Sequence, residues 1–317
     1  MVSRTFTTFV TEKNLKNQTK RKKYMKKLIL AFLTVLVCLP CAAQLLYKLS
    51  GNGLKKPSFV FGTHHLAPFR VADSVGAVKA LHDVEAVVGE IDMANLDMMQ
   101  MALKMQPMMM APKDSTLQAV LGDSLFNVAN EKFTAITGTP LSLFNTMKPI
   151  VAMTMLEIKP AMERFADFDQ SQQMDARLQQ MGDSLGKVIV GLETVEDQAQ
   201  VLYNSMSIRQ QADKLMETLD DPDKAVDDVM KLMDAYMKGD LPAISACVAE
   251  QSEGADGEFM EALATRRNEK WMQRLPELMK EHPSLIVVGA GHLCGPTGLL
   301  EMLRRQGYSV KPVAPVR

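Results

Sequence analysis

The chain holds 317 residues, with 36 basic against 37 acidic side chains and 47% apolar residues. Balanced charge gives no bulk field that would draw it to nucleic acid or to an anionic membrane, so any partner must be recognised at a local site. The length suits one large domain with a well-buried core behind a short leader.

That leader is legible first. Lys20-Arg21-Lys22-Lys23 and Lys26-Lys27 precede twelve uncharged residues, Leu28 to Leu39, and Pro40-Cys41-Ala42-Ala43 closes in small residues. A basic start, an apolar stretch too short for a comfortable membrane span and a small-x-small end predict a secretory signal cut after Ala43. Met25 is the expected natural start, which makes residues 1–24 an upstream extension. The expectation is an exported protein, periplasmic or secreted, with no stable membrane span after cleavage and with residues 44–317 forming one domain. For Cys247 and Cys294, a disulfide and two separate thiols are both open.

In chain order, the weak alternation of Leu45 to Ser50, the turn residues Gly51-Asn52-Gly53 and the run Phe59-Val60-Phe61 predict a β-hairpin. Its second strand ends in Gly62-Thr63-His64-His65. Val71, Val75, Val78 and Leu81 are spaced as one helix, and Glu85 to Asp92 reads as a second core strand with Glu90 and Asp92 on one face. The methionines between Met93 and Met110 fit an amphipathic helix packed on the core, a pliable lid over a ligand, or a copper-binding cluster.

Residues 117–169 read as helices broken at Gly138, Pro140, Pro149 and Pro160, within a helical insertion over about 95–185. Lys187 to Glu193 is a third strand, and Thr194 with Asp197 has capping-box spacing. Phe259 to Lys280 reads as a helix carrying Arg267, Asn268 and the only tryptophan, Trp271. Ser284 to Val288 is another strand, running into Gly289-Ala290-Gly291-His292 before a helix from Pro296 and a last strand at Tyr308. Strand alternating with helix predicts an α/β fold with a mixed, largely parallel sheet flanked by helices.

Ligands of open α/β sheets collect outside the carboxyl ends of the strands, so histidines at two strand ends are candidates for one pocket. His64 and His65 point to opposite sides while the strand stays extended, so only one of them faces it. Two imidazoles and a carboxylate can hold a catalytic metal with an open water position. They can also work without one, with a histidine as base. Cys294 and a serine triad are poor candidates, because no base is identified beside the thiol and no nucleophile-elbow sequence is present.

Phe61-Gly62-Thr63-His64-His65, Gly89-Glu90-Ile91-Asp92, Gly191-Leu192-Glu193-Thr194, Arg267-Asn268 and Gly289-Ala290-Gly291-His292 with Gly295 resemble the TraB/GumN family, over about residues 45–314. That family includes the Tiki metalloproteases and the pheromone-shutdown proteins, in a wider clan with erythromycin-esterase-like and haem-binding ChaN-like proteins. The resemblance implies the same α/β fold. It places His65, Glu90 and His292 on a divalent metal ion such as Mn, Co or Zn, with Glu193 as a further ligand or base and Arg267 steadying a carboxylate or oxyanion. The implied function is a metal-dependent hydrolase acting on a peptide or amide. The alternatives are a metal-independent esterase-like hydrolase with His65 as base, and a non-catalytic peptide or haem binder.

Overall fold

Alternating apolar residues in the strands bury two faces of one sheet. A computed structural model describes residues 45–164, 169, 172–251 and 257–315, all within the unit from Ala43 to Arg317; the predicted leader lies outside the described residues. The strands are β1 (Leu46–Gly51), β2 (Ser58–Thr63), β3 (Ala86–Gly89), β4 (Val188–Gly191), β5 (Ser284–Gly289) and β6 (Tyr308–Pro312). They form a six-stranded sheet in the order β4-β3-β5-β2-β1-β6.

β4, β3, β5 and β2 run parallel. β1 is antiparallel to both of its neighbours, as the predicted hairpin requires. The fold is thus the expected α/β architecture with a mixed sheet.

Side chains of successive strand residues face opposite layers. Phe59, Phe61, Val87, Leu285 and Val287 join one buried cluster with helices that include Met174–Ser184 and Pro222–Met237. Val60, Val88, Ile286 and Val288 join the other, with Trp271, Leu275 and Leu303. Each fully buried side chain of this size contributes about 1.5–3 kcal/mol.

A third apolar cluster is almost entirely helical, and it extends beyond the expected 95–185 insertion. Leu117, Phe133 and Leu156 pack with Tyr203, Leu215 and Phe259, so helices on both sides of β4 in sequence build one layer.

Several element boundaries differ from expectation. The predicted helix over Val71–Leu81 is two helices, Arg70–Ser74 and Ala77–His82, split where Gly76 takes φ +89°. The Pro149–Arg164 helix runs through position 160 instead of breaking there. The Met98–Met109 helix has no fully buried residue: Met105, Met108 and Met109 pack against the third cluster while Met98, Met99 and Leu103 stand in solvent. Phe259 to Lys280 is not one helix: a π turn spans Glu261–Thr265 between Gly257–Met260 and Arg266–Met272, and the run then breaks at Gln273–Arg274 before Leu275–Glu281. Cys247 and Cys294 are separate free thiols, and burial pushes Cys294 up to about 12, which keeps it protonated.

Candidate active site

The parallel strands end in glycine or one residue past it, and at two ends close approach explains why. A Cβ on Gly62 would lie 2.8 Å from the Leu293 side chain and 3.0 Å from the Ala290 backbone, and a Cβ on Gly89 would collide with Gln179. Glycine there lets the connecting segments cross tightly over the sheet end. The residues that follow the four strands are thereby collected in one crevice, the position that open α/β sheets give to ligands.

Glu90 and Asp92 do not share a strand face, because β3 ends at Gly89. Asp92 instead accepts from the Asn95 backbone and side chain. Glu90 turns into the crevice, where Oε1 accepts from the Gly289 N–H at 2.8 Å and Oε2 accepts from Gln198 at 2.9 Å and from Arg267 Nη2 at 2.5 Å.

Glu193 follows β4 and is buried, its side chain only 2% exposed. It accepts from Arg267 Nε at 3.1 and 3.2 Å, from Arg267 Nη2, and from Trp271 Nε1 at 3.2 Å. Arg267 Nη1 completes the fork with the Leu263 carbonyl and His292 Nε2, each at 3.0 Å. All five guanidinium N–H groups are therefore engaged within the protein. The fork of donors expected to meet a substrate is turned inward, because two carboxylates and an imidazole lone pair have claimed it.

These contacts also fix His292. Arginine can only donate, so Nε2 is the acceptor and the ring proton sits on Nδ1, which donates to Asn268 Oδ1 at 2.8 Å. Asn268 in turn donates to the His292 and Thr297 carbonyls, and the Trp271 ring lies 4.5 Å from the imidazole. Burial lowers the His292 pKa to about 4; Glu90 opposes this, and the positive charges of Arg267 and His65 reinforce it. His292 is neutral at physiological pH.

His65 is the opposite case. Its side chain is 70% exposed, and its Nδ1 lies 3.4 Å from Asp175 Oδ2, a buried oxygen with no hydrogen bond of good geometry. The other carboxylate oxygen of Asp175 accepts from Thr63 at 2.7 Å. Pairing with Asp175 raises His65 to about 9, and the charge of Glu90 adds to the rise while Arg267 opposes it. With Nδ1 turned to Asp175, Nε2 is the ring atom left for chemistry.

His64 is the structural member of the pair. Its Nδ1 accepts from the Leu66 N–H at 3.2 Å, its ring lies 5.2 Å from Tyr236, and burial lowers it to about 4. Burial is the largest single influence on Glu90 and would raise its pKa, yet the charge and hydrogen bond of Arg267 and the Gly289 N–H together hold it well below the usual range. Asp175 and Gln198 went unrecognised in the sequence. Each is an ordinary polar residue near the start of a helix, and only the fold carries it to the sheet end.

With this geometry in place, the family follows. The TraB/PrgY/gumN family matches residues 45–312. The chain belongs to that family. This TraB/PrgY/gumN member is 24% identical over 310 residues to a protein of Xenopus tropicalis described as metalloprotease TIKI2, covering 80% of this chain and 57% of the relative. It is 23% identical over 314 residues to one of the same description from Danio rerio, covering 82% of this chain and 59% of the relative. The chain thus spans less than three-fifths of the length of these relatives. No solved structure matches it.

The relatives' description directs attention to a divalent metal, and the residues can be tested against one. A metal needs lone pairs that converge on an open position. Glu90 and His292 direct theirs to Arg267, and His65 Nδ1 faces Asp175. Among the described residues no group of three or more His, Cys, Asp and Glu side chains is arranged to hold a metal ion. The expected ligand set His65, Glu90 and His292 is therefore not assembled as a metal centre, because a guanidinium stands among its donors.

Proposed function

We propose that the protein is a hydrolase of peptide or amide bonds in which His65 handles the protons. The observation that carries this reading is the pairing of an exposed imidazole with a buried carboxylate at the mouth of a strand-end crevice. A carboxylate behind a catalytic histidine fixes its tautomer and favours its cation, the arrangement that suits proton abstraction from water followed by donation to a leaving amine.

The sequence of events uses the chain's own groups. In its neutral form His65 holds a proton on Nδ1 toward Asp175 and presents the Nε2 lone pair. Nε2 takes a proton from a water as that water attacks the carbonyl carbon, and the imidazolium then gives the proton to the departing nitrogen. The charge of Glu90 favours the imidazolium during this interval. Arg267, Glu193, His292 and Asn268 form the rigid floor that keeps Glu90 in place. Membership of a family that contains relatives described as metalloproteases supports hydrolysis as the reaction class. Folds and families host varied chemistry, so the site carries the reading.

Export is part of the same proposal. The basic start and short apolar run before Ala43 support a cleaved signal, and among the described residues no helix is long and apolar enough to cross a membrane. The substrate would then be a peptide or amide of the cell envelope or its surroundings.

A peptide library incubated with the protein in 18O-labelled water at pH 9 tests the reaction. Cleavage products carrying the label, absent with His65→Ala, are expected. A library left intact, or cleavage that persists in His65→Ala, overturns the reading and leaves the crevice as a binding site.

A further inference from the structure

We propose that Arg267 is the permanent cation of this site, seated among Glu90, Glu193 and His292, and that these three would take a divalent metal ion only if its side chain were removed. This goes beyond hydrolysis and holds whether or not the crevice cleaves anything.

The reasoning begins with charge. Two buried carboxylates beside a neutral imidazole carry a net charge of minus two, which a low-polarity interior does not tolerate without a cation. Arg267 supplies one positive charge and distributes it by shape. Nε and Nη2 reach Glu193, Nη2 also reaches Glu90, and Nη1 reaches His292 Nε2. The Trp271 ring, 4.8 Å from the guanidinium carbon, covers it with a π face.

By donor type the same residues match a metal site, although spread around the guanidinium they are not arranged as one. Two carboxylates and one imidazole are an ordinary oxygen and nitrogen ligand set for Zn, Co or Mn. Asn268 accepts from His292 Nδ1, the outer support that metal-bound histidines have. A divalent ion would neutralise both carboxylates. It cannot approach them while the guanidinium fills the space between them, and the positive charge repels it.

The lone tryptophan provides the reporter, since Trp271 touches both Arg267 and His292. Co2+ bound among these residues would quench its fluorescence. The untagged full-length chain is stripped with chelator, dialysed and titrated with Co2+, alongside Arg267→Ala and Arg267→Met, with folding followed by circular dichroism. The expected result is no saturable quenching in the natural chain. Quenching at one equivalent is expected in the variants, with affinity at least about 100-fold tighter, the scale set by removing a unit charge a few ångströms away. Adding His292→Ala to either variant should abolish it.

Saturable quenching in the natural chain that is lost in His292→Ala overturns the proposal, as does a folded Arg267 variant that takes no metal. Should neither variant fold, the natural chain decides alone: quenching overturns the proposal and its absence supports it. Failure of the peptide-cleavage experiment would leave both outcomes untouched, because Co2+ occupancy is read without substrate.

Discussion

The two Gly-x-x-His strand ends carry the same residue in the same local frame and put it in opposite states. His65, after β2, is solvent-facing and held up to about 9 by Asp175; His292, after β5, is 9% exposed and held down to about 4. One is a cation at neutral pH and the other is a fixed neutral acceptor. The difference teaches that burial at one strand end and a partner carboxylate at the other, not the motif, set protonation. Titratable groups whose environments push them apart mark the division of labour in an active site.

The comparison breaks most directly at His65. Replacing it with Ala should lower peptide hydrolysis by about 10²- to 10⁴-fold, the usual contribution of a general acid–base residue. The chain should still fold, because the side chain is mostly in solvent, with a melting temperature lowered at neutral pH by the loss of the Asp175 pairing and nearly unchanged above pH 9. Equal activity in the variant, measured as initial rates of product formation, would reassign the proton chemistry.

The buried end should fail in stability instead. Arg267→Ala leaves Glu90 and Glu193 without their cation and should cost about 3–5 kcal/mol in denaturant unfolding at pH 7. Lowering the pH should narrow that gap. The natural chain gains stability from its depressed Glu90 above the ordinary carboxylate range and loses it as pH falls toward the folded pKa. A gap independent of pH would detach the effect from the carboxylates.

Asp175 sharpens the contrast by a smaller amount. If His65 acts as a base, the rate of the natural enzyme rises with pH toward about 9, because only the deprotonated ring accepts a proton. Asp175→Asn removes the raising influence, so the limb should move acidward by about one to two pH units, toward the ordinary histidine value. Two-dimensional NMR of the His65 ring should show the same displacement without substrate. The stability that the pair contributes is present below about 6.5 and fades as pH rises through about 9, so the variant should differ from the parent least in alkali.

Asn268→Ala should cost about 1–2 kcal/mol and let His292 change tautomer, visible in its 15N shifts. The smallest expected effect is none at all: stripping divalent ions with EDTA should leave hydrolysis unchanged within about 20%, since Arg267 already fills the donor set. Loss of activity restored by one metal would remove the contrast between a metal centre and an arginine clamp.

The sheet was legible because its strands are short apolar runs bounded by turn residues, and the family pattern pointed to His65, Glu90 and His292. Glu193 and Arg267 were also placed at the crevice, but their direction was not. A sequence indicates that an arginine is near carboxylates without indicating that every donor has been spent on them. Asp175 was hidden for a different reason. Its bond to Thr63 spans a separation of 112 residues, and in the first turn of a helix an aspartate looks like routine capping chemistry. The π turn was hidden too, because Glu261–Thr265 carries no proline or glycine that would signal an interruption, whereas Pro276 does mark the later break before Leu275–Glu281.

That turn makes the arginine's aim a matter of chain length. One residue of regular helix is a rotation of about 100° and a rise of about 1.5 Å. The π turn takes up about one residue more than an ordinary turn, so winding Glu261–Thr265 as regular helix at unchanged length would swing Arg267 and Asn268 off the sheet end together. A chain whose turn tightened in that way would keep every charged group of the crevice in its sequence and lose their meeting point.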